Sequence, residues 1–354
     1  MGGVIRIAVI YGGQSTEHSI SCISAGSIMR ELDPAVYEVF PVGITRDGTW
    51  VTGTLDPVGQ ATLPEVSPGR EIALSLSPAR RGEFRDLETG EVLATVDVVF
   101  PVLHGRFGED GTIQGLLEMA GVAYVGPGVL ASACGMDKEY TKKIIAAAGI
   151  AITDEIVLTE GASLDDAARD RLGLPVFVKP ASGGSSIGVS KVSDWSELDA
   201  AIALARESDS KVIVEAGLTG DEVEVGVLEH PDGRVEASLP AKLNGTEDGE
   251  EGFYGFETKY LEDGVTATIP APYDEQLTAE LQTLAITAFR ALGGSGLARV
   301  DFFVTPSGPV LNEVNTMPGF TSISMYPQVW RASGVSYQEL LNTLINSALA
   351  RSQR

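Results

Sequence analysis

Thiols, basic residues and long apolar runs are all scarce in this sequence, and each scarcity removes a class of protein. Cys22 and Cys134 are the only cysteines. Two thiols so widely spaced build neither a disulfide framework nor a zinc site, and they fit a reducing cytoplasm. Lys and Arg number 25 against 49 Asp and Glu in 354 residues, a formal net charge of −24. Binding nucleic acid needs a basic face that neutralises phosphates, and anionic membranes repel an acidic surface, so neither partner is expected. No apolar run approaches the ~18 residues of a membrane helix. The start of the chain has one arginine, Arg6, and a short apolar run closed by Gly12-Gly13, which reads as a first β-strand and not a signal peptide. The phosphate loop G-x-x-x-x-G-K-[ST] is absent too, which excludes P-loop nucleotidases.

What remains is a globular composition, 44% hydrophobic and 21% charged, so the acidic excess coats a folded core. Three regions differ in rhythm. Residues 1–137 alternate β-branched runs (5–11, 38–44, 96–103, 123–125) with helical patterns (20–32, 111–120), the signature of a parallel sheet covered by helices. Residues 52–93 are poorer in periodicity and read as short strands and loops at its edge. Residues 138–228 open with a helix over 138–148, capped by Asp137 and stopped by Gly149, with Tyr140, Ile144, Ile145 and Ala148 at helical spacing. Strands over 176–178, 188–192 and 212–215 and a helix over 195–207 follow, a smaller α+β unit. Residues 229–354 hold a polar Gly- and Glu-rich passage from 244, a helix over 274–292, two strands at 298–304 and 309–313, and a last helix from 336. The fold class is therefore mixed, α/β followed by α+β.

Two glycine-rich turns compete as phosphate binders. Gly126-Pro127-Gly128-Val129-Leu130-Ala131 matches the dinucleotide pattern G-x-G-x-x-A. A proline fills its second position and other α/β units precede it, so a tight strand-to-helix turn explains it as well. The stronger candidate is the run from Lys179 through Gly183, Gly184 and Ser185 to Gly188, between two strands. Its lysine can reach a phosphate while backbone N–H groups close over the oxygens. An ordinary Gly/Ser hairpin loop is the alternative.

Downstream, Arg299-Val300-Asp301 and Glu313-Val314-Asn315 occupy adjacent strands. Residues two apart share a face, so the pair gathers two carboxylates, an amide and a guanidinium at one place. Oxygen ligands of this kind suit Mg²⁺ held together with substrate phosphates. A salt-bridge ladder is the plainer reading, and it accounts poorly for the interleaved Val300, Phe302, Val310 and Leu311.

A lysine-ended glycine loop followed by R-x-D and E-x-N on neighbouring strands resembles the ATP-grasp superfamily. Gly12-Gly13-Gln14-Ser15-Thr16-Glu17-His18-Ser19, His104-Gly105-Arg106-Phe107-Gly108-Glu109-Asp110-Gly111, Lys259-Tyr260 and Asn315-Thr316-Met317-Pro318-Gly319-Phe320 narrow the resemblance to the D-alanine–D-alanine ligase family over nearly the whole chain. The resemblance implies a three-domain architecture with ATP between the central and C-terminal domains, and ligation of two D-alanines through a D-alanyl phosphate for peptidoglycan synthesis. It implies that Lys138, Lys179 and Lys259 contact the nucleotide phosphates, and that Glu215, Ala216, Leu218 and Glu222 hold the nucleoside. Asp301, Glu313 and Asn315 would bind two Mg²⁺ ions, with Mn²⁺ as a substitute. Arg299 and the N–H of Gly319 would face the oxyanion. Glu17, with Ser185 and Tyr260, would take the first D-alanine's ammonium and His104 its carboxylate, while Ser324 and Met325 would bind the second D-alanine. A mobile lid over 244–260, a cytoplasmic location and a homodimer are further implications. Phe256, where many members have tyrosine, and Ala216, where lysine is common, are departures. Another ATP-grasp ligase, an NAD-dependent dehydrogenase using the Gly126 turn and a catalytically dead nucleotide-binding regulator remain as alternatives.

Overall fold

The computed structural model describes residues 3–56, 63–184, 187–245, 266–321 and 323–353. The lid residues Phe256, Lys259 and Tyr260, and Ser185 of the glycine loop, lie outside the described residues.

The first unit is a sheet of order β3-β2-β1-β7-β8, formed by β1 (Ile5–Gly12), β2 (Tyr37–Ile44), β3 (Trp50–Thr52), β7 (Val98–Val102) and β8 (Ala123–Tyr124). β1 runs parallel to both neighbours, and its residues from Ile7 to Tyr11 are at most 1% exposed, as a central parallel strand covered on both faces requires. Helices α1 (His18–Glu31), α2 (Thr112–Ala120) and α3 (Val129–Met136) accompany it, and residues expected to form edge structure make a separate antiparallel sheet of β4 (Ile72–Leu74), β5 (Glu83–Asp86) and β6 (Val92–Thr95). β1 ends at Gly12 with φ +93, where a Cβ would lie 2.2 Å from the Ile44 carbonyl oxygen. Only glycine lets the chain turn there toward Glu17.

In the second unit, α4 (Lys138–Ala147) is followed by β9 (Glu155–Leu158), α5 (Asp166–Leu172), β10 (Val176–Pro180), β11 (Ser190–Val192), α6 (Leu198–Arg206) and β12 (Val212–Ala216). Its antiparallel sheet has the order β11-β10-β12-β9. Val176, Val178, Val212 and Val214 point into a core with α6, which leaves Phe177, Lys179 and Glu215 on the opposite face. Asp137 caps α4 through Glu139 N (3.1 Å) and Tyr140 N (3.3 Å). The buried face of α4 differs from the periodicity-based one: Tyr140 is 52% exposed and Ala148 is exposed, while Thr141, Lys142 and Ile145 are buried. A lysine takes an inward position because two carboxylates await it there.

The third unit is a sheet of order β16-β15-β13-β17-β18 with β14 beside β13, built from β13 (Asp221–Glu229), β14 (Val235–Ala237), β15 (Ala241–Asn244), β16 (Thr266–Thr268), β17 (Leu297–Thr305) and β18 (Gly308–Asn315). β13 pairs with β17 from Asp221 to Leu228, so by sheet membership this unit begins at Asp221, ahead of the division at 229 read from the sequence. α7 (Glu275–Ala291) packs Leu281, Ala285 and Phe289 on Val223, Val225, Val300 and Phe302. α8 (Met325–Ala332) and α9 (Tyr337–Arg351) return to the first unit, where Leu340, Leu341 and Leu344 join Ile7, Val9 and Phe100 in one core.

The Gly126 turn is part of this junction. Arg351 of α9 donates to the carbonyls of Tyr124 (3.1 Å) and Gly126 (3.0 Å), which gives the turn a structural job. No helix among the described residues is long and apolar enough to cross a membrane.

Candidate active site

Two cavities share part of their lining. One, of about 540 Å³, lies between the second and third sheets, with Phe177, Lys179, Glu215, Leu218, Glu222 and Phe303 on its walls. The other, of about 810 Å³, is bordered by Glu17, His104, Arg299, Asn315, Ser324 and Met325. Lys138, Gly183, Gly184, Glu224, Asn312 and Glu313 line both, so the glycine loop and the acidic hairpin form the seam of one cleft.

The β17–β18 register places Asp301 opposite Glu313 and Arg299 opposite Asn315, which brings together the two same-face pairs expected from the two-residue periodicity. Arg299 holds Asp301 with a fork, Nε to Oδ1 at 2.8 Å and Nη2 to Oδ2 at 2.7 Å. Asn315 Nδ2 donates to Asp301 Oδ2 at 2.9 Å and to Glu313 Oε1 at 3.4 Å. Burial works against the Arg299 charge, but Asp301 and Glu224 outweigh it and hold its pKa well above the usual value. Beyond Asp301 the register slips, so that Phe302 pairs with Leu311; the bulge turns Asn312 into the seam.

Opposite this hairpin stand the lysines. Lys138 Nζ donates to the Gly183 carbonyl at 2.5 Å, which ties α4 to the glycine loop. Lys179 Nζ lies 2.5 Å from Glu215 Oε2, and the other Glu215 oxygen receives Lys142. Burial alone would raise the Glu215 pKa; Lys179 and Lys142 more than reverse it. The N–H of Ala216 is committed to the Asp154 carbonyl and that of Gly217 to Pro175.

Glu17, 7% exposed, sits at the start of α1 against two backbone loops. A Cβ on Gly105 would be 3.2 Å from its Oε2, and one on Gly184 3.5 Å away, so the carboxylate touches both the His104 loop and the glycine loop. Across the cavity Phe320 anchors the loop that carries Gly319. Its ring packs on Phe100, Tyr326 and Tyr337 with centroids 6.0, 5.6 and 5.9 Å away, and its carbonyl accepts the Tyr337 hydroxyl. Gly319 abuts Ser324, whose Oγ would stand 2.9 Å from a Cβ there. Ser324 Oγ is fixed by Thr321 N (3.0 Å) and Thr321 Oγ1 (2.7 Å).

Comparison with known proteins matches this arrangement. Residues 6–127 fit the sequence description of the D-ala D-ala ligase N-terminus, and residues 144–346 that of its C-terminus. The chain belongs to the D-alanine–D-alanine ligase family. A D-alanine–D-alanine ligase from Corynebacterium efficiens is 61% identical over 352 residues, 98% of this chain and 97% of the relative. Among solved structures, a D-Ala:D-Ser ligase from Enterococcus faecalis superimposes with TM-score 0.84 at 36% identity, covering 98% of this chain and 100% of that one. A D-alanine–D-alanine ligase from Bacillus anthracis complexed with ATP gives TM-score 0.73 at 26% identity, with 99% of each chain covered.

In this ligase the structure also brings forward residues that sequence reasoning passed over. Glu224, 4% exposed, faces Asp301 across β13–β17 and has Oε2 3.1 Å from Arg299 Nε; the alternation Glu222-Val223-Glu224-Val225 was the signal available for it. Glu109 accepts the Gly105 N–H at 2.6 Å. Burial, then Glu17, pushes its pKa up to about 8. The His104 pKa is lowered by burial against the pull of Glu17, and its Nε2 is buried with no hydrogen-bond partner among the described residues. Its membership of a His-Gly…Glu-Asp-Gly run was the signal available for Glu109.

Proposed function

We propose that this protein catalyses the ATP-dependent joining of two D-alanine molecules to D-alanyl-D-alanine for peptidoglycan synthesis, releasing ADP and phosphate. The observation that carries the reading is the seam: Glu313 and the glycine loop border both cavities, so a nucleotide in one would present its terminal phosphate to a substrate in the other.

In the smaller cavity, Lys138 and Lys179 would bind the ATP phosphates. Glu222 would hold the ribose hydroxyls, and Glu215 and Leu218 would border the adenine. Ala216, whose N–H is already used, would offer the base its carbonyl. The donor set of Asp301, Glu313 and Asn315 fits Mg²⁺, a hard cation that takes carboxylate and amide oxygens and shares phosphates. Asn315 gives its Nδ2 to both carboxylates; turning the amide over would set Oδ1 beside them. Bound there, two Mg²⁺ ions would neutralise charge on the transferring phosphoryl group.

In the larger cavity, Glu17 would take the ammonium of the first D-alanine and the unpartnered Nε2 of His104 its carboxylate. An oxygen of that carboxylate attacks the γ-phosphorus, and ADP leaves. The second D-alanine, its carboxylate at Ser324 and the N-terminus of α8 beside Met325, attacks the acyl carbon with its amine. Arg299 and the Gly319 N–H would stabilise the tetrahedral oxyanion, one such donor being worth roughly 3 kcal/mol. Phosphate then departs, the amine loses its proton, and the dipeptide forms. Ser185, Lys259 and Tyr260 enter on the family resemblance, as members of the first-substrate set and the lid. A cytoplasmic homodimer is part of the same reading.

The D-Ala:D-Ser ligase among the similar structures favours a second reading in which D-serine is the second substrate. Mass analysis of the product from equimolar D-alanine, D-serine and D-lactate with ATP and Mg²⁺ separates the two. D-Alanyl-D-alanine as the main product supports the proposal; a predominance of the mixed dipeptide or the ester overturns it.

A further inference from the structure

Lys142 stands one turn after Lys138 on α4, yet its side chain is 1% exposed. Its ammonium contacts Glu215 and lies 3.2 Å from Glu155 Oε2, while Glu215 Oε2 meets Lys179 at 2.5 Å. Charges thus alternate along a chain of four groups, Glu155, Lys142, Glu215 and Lys179, and the two carboxylates face each other across β12 and β9. Glu215 and Lys179 line the smaller cavity; Lys142 and Glu155 do not. Burying such a chain gives no advantage over apolar packing in stability alone.

The chain does solve a problem that nucleotide binding creates. Lys179 neutralises Glu215, and reaching a phosphate takes it away from that carboxylate. Without another cation, Glu215 would then be left charged, buried and opposite Glu155, a costly arrangement. We infer that Lys142 is a positioning residue for nucleotide binding: it holds Glu215 as an ionised partner so that Lys179 can transfer from Glu215 to an ATP phosphate. This inference rests on the nucleotide reading of the smaller cavity. Removing Lys142 leaves Lys179 as the one lysine of the chain shared by two carboxylates, and its hold on them competes directly with the phosphate.

The test is ATP affinity in the presence of Mg²⁺, measured by titration calorimetry on the full chain, with kcat at saturating ATP alongside. Lys142→Met is expected to weaken ATP binding at least about tenfold, the scale of one buried charge coupling, with kcat changed less than about threefold. Adenosine has no phosphate and leaves Lys179 on Glu215, so its affinity, measured the same way, is expected to change less than about threefold in Lys142→Met. A side chain that merely fills space would lower ATP and adenosine affinity by the same factor, and that result overturns the inference. So does unchanged ATP affinity in Lys142→Met. Should Lys142→Met fail to fold, Lys142→Gln decides by the same pair of ligands: a loss confined to ATP supports the role, and an equal loss or none refutes it. Failure of the parent protein to bind ATP strikes the nucleotide reading instead.

Discussion

Replacing Arg299 by lysine separates its part in the chemistry from its part in the fold. The guanidinium gives two hydrogen bonds to Asp301 at 2.8 and 2.7 Å and reaches Glu224 at 3.1 Å. Glu224 and Asp301 are register partners on adjacent strands, so Arg299→Ala would oppose two buried carboxylates and cost about 3–5 kcal/mol of stability. Lysine keeps the charge and one carboxylate contact but has no planar fork, so it cannot hold Asp301 and still present a donor to the acyl oxygen. Losing one oxyanion donor is worth ~2.7–4 kcal/mol, or about 10²–10³ in kcat. We expect Arg299→Lys to remain folded by thermal melt, to lower kcat for D-alanine-dependent ADP formation by that factor, and to leave the Kd for ATP within about threefold. A kcat within threefold of the parent protein, or an ATP affinity that falls as far as kcat, would refute the oxyanion role.

Gly319→Ala puts a methyl group 2.9 Å from Ser324 Oγ, below any normal carbon–oxygen contact, and Ser324 is held by two bonds to Thr321. Stability should drop by about 1–3 kcal/mol, and the KM for the second D-alanine should rise more than that for ATP; equal rises would count against Ser324 as its ligand. Glu109, with a pKa pushed up to about 8, stays protonated in the folded state while the unfolded carboxyl ionises near its ordinary value. Folding stability from this group is therefore intact below pH 4.5 and falls as pH rises toward 8. Glu109→Gln removes the effect, so its gain in Tm without substrates should be absent near pH 4.5 and largest above pH 8; parallel pH profiles would contradict the assignment. Cys22, buried with its thiol pushed up to about 12, should resist alkylation at pH 8 in the native protein and react on unfolding, as followed by mass spectrometry.

The acidic hairpin was readable residue by residue because strand periodicity alone decides which side chains share a face. The register that sets Asp301 opposite Glu313 was not legible, because it depends on the bulge between Asp301 and Phe302. Helix ends were equally legible: Asp137 and Ser336 both cap the helices that follow them. Sequence reading failed where a charged residue points inward. Lys142 lies on a predominantly polar helix and Glu224 in a run of alternating glutamates and valines, yet both are buried. Neither burial can be inferred without knowing that Glu155 and Arg299 lie across the fold. β13 escaped notice for a related reason, since Asp221, Glu222 and Glu224 hide its apolar residues Val223, Val225 and Val227, and its partner β17 lies about seventy residues downstream.

Phosphate release from ATP and Mg²⁺, measured with and without D-alanine and set against dipeptide formed, bears most directly on the seam between the two cavities. A D-alanyl phosphate formed there and consumed there requires D-alanine-dependent release, with one phosphate per dipeptide. Release that ignores D-alanine, or none at all from folded protein, would contradict the account.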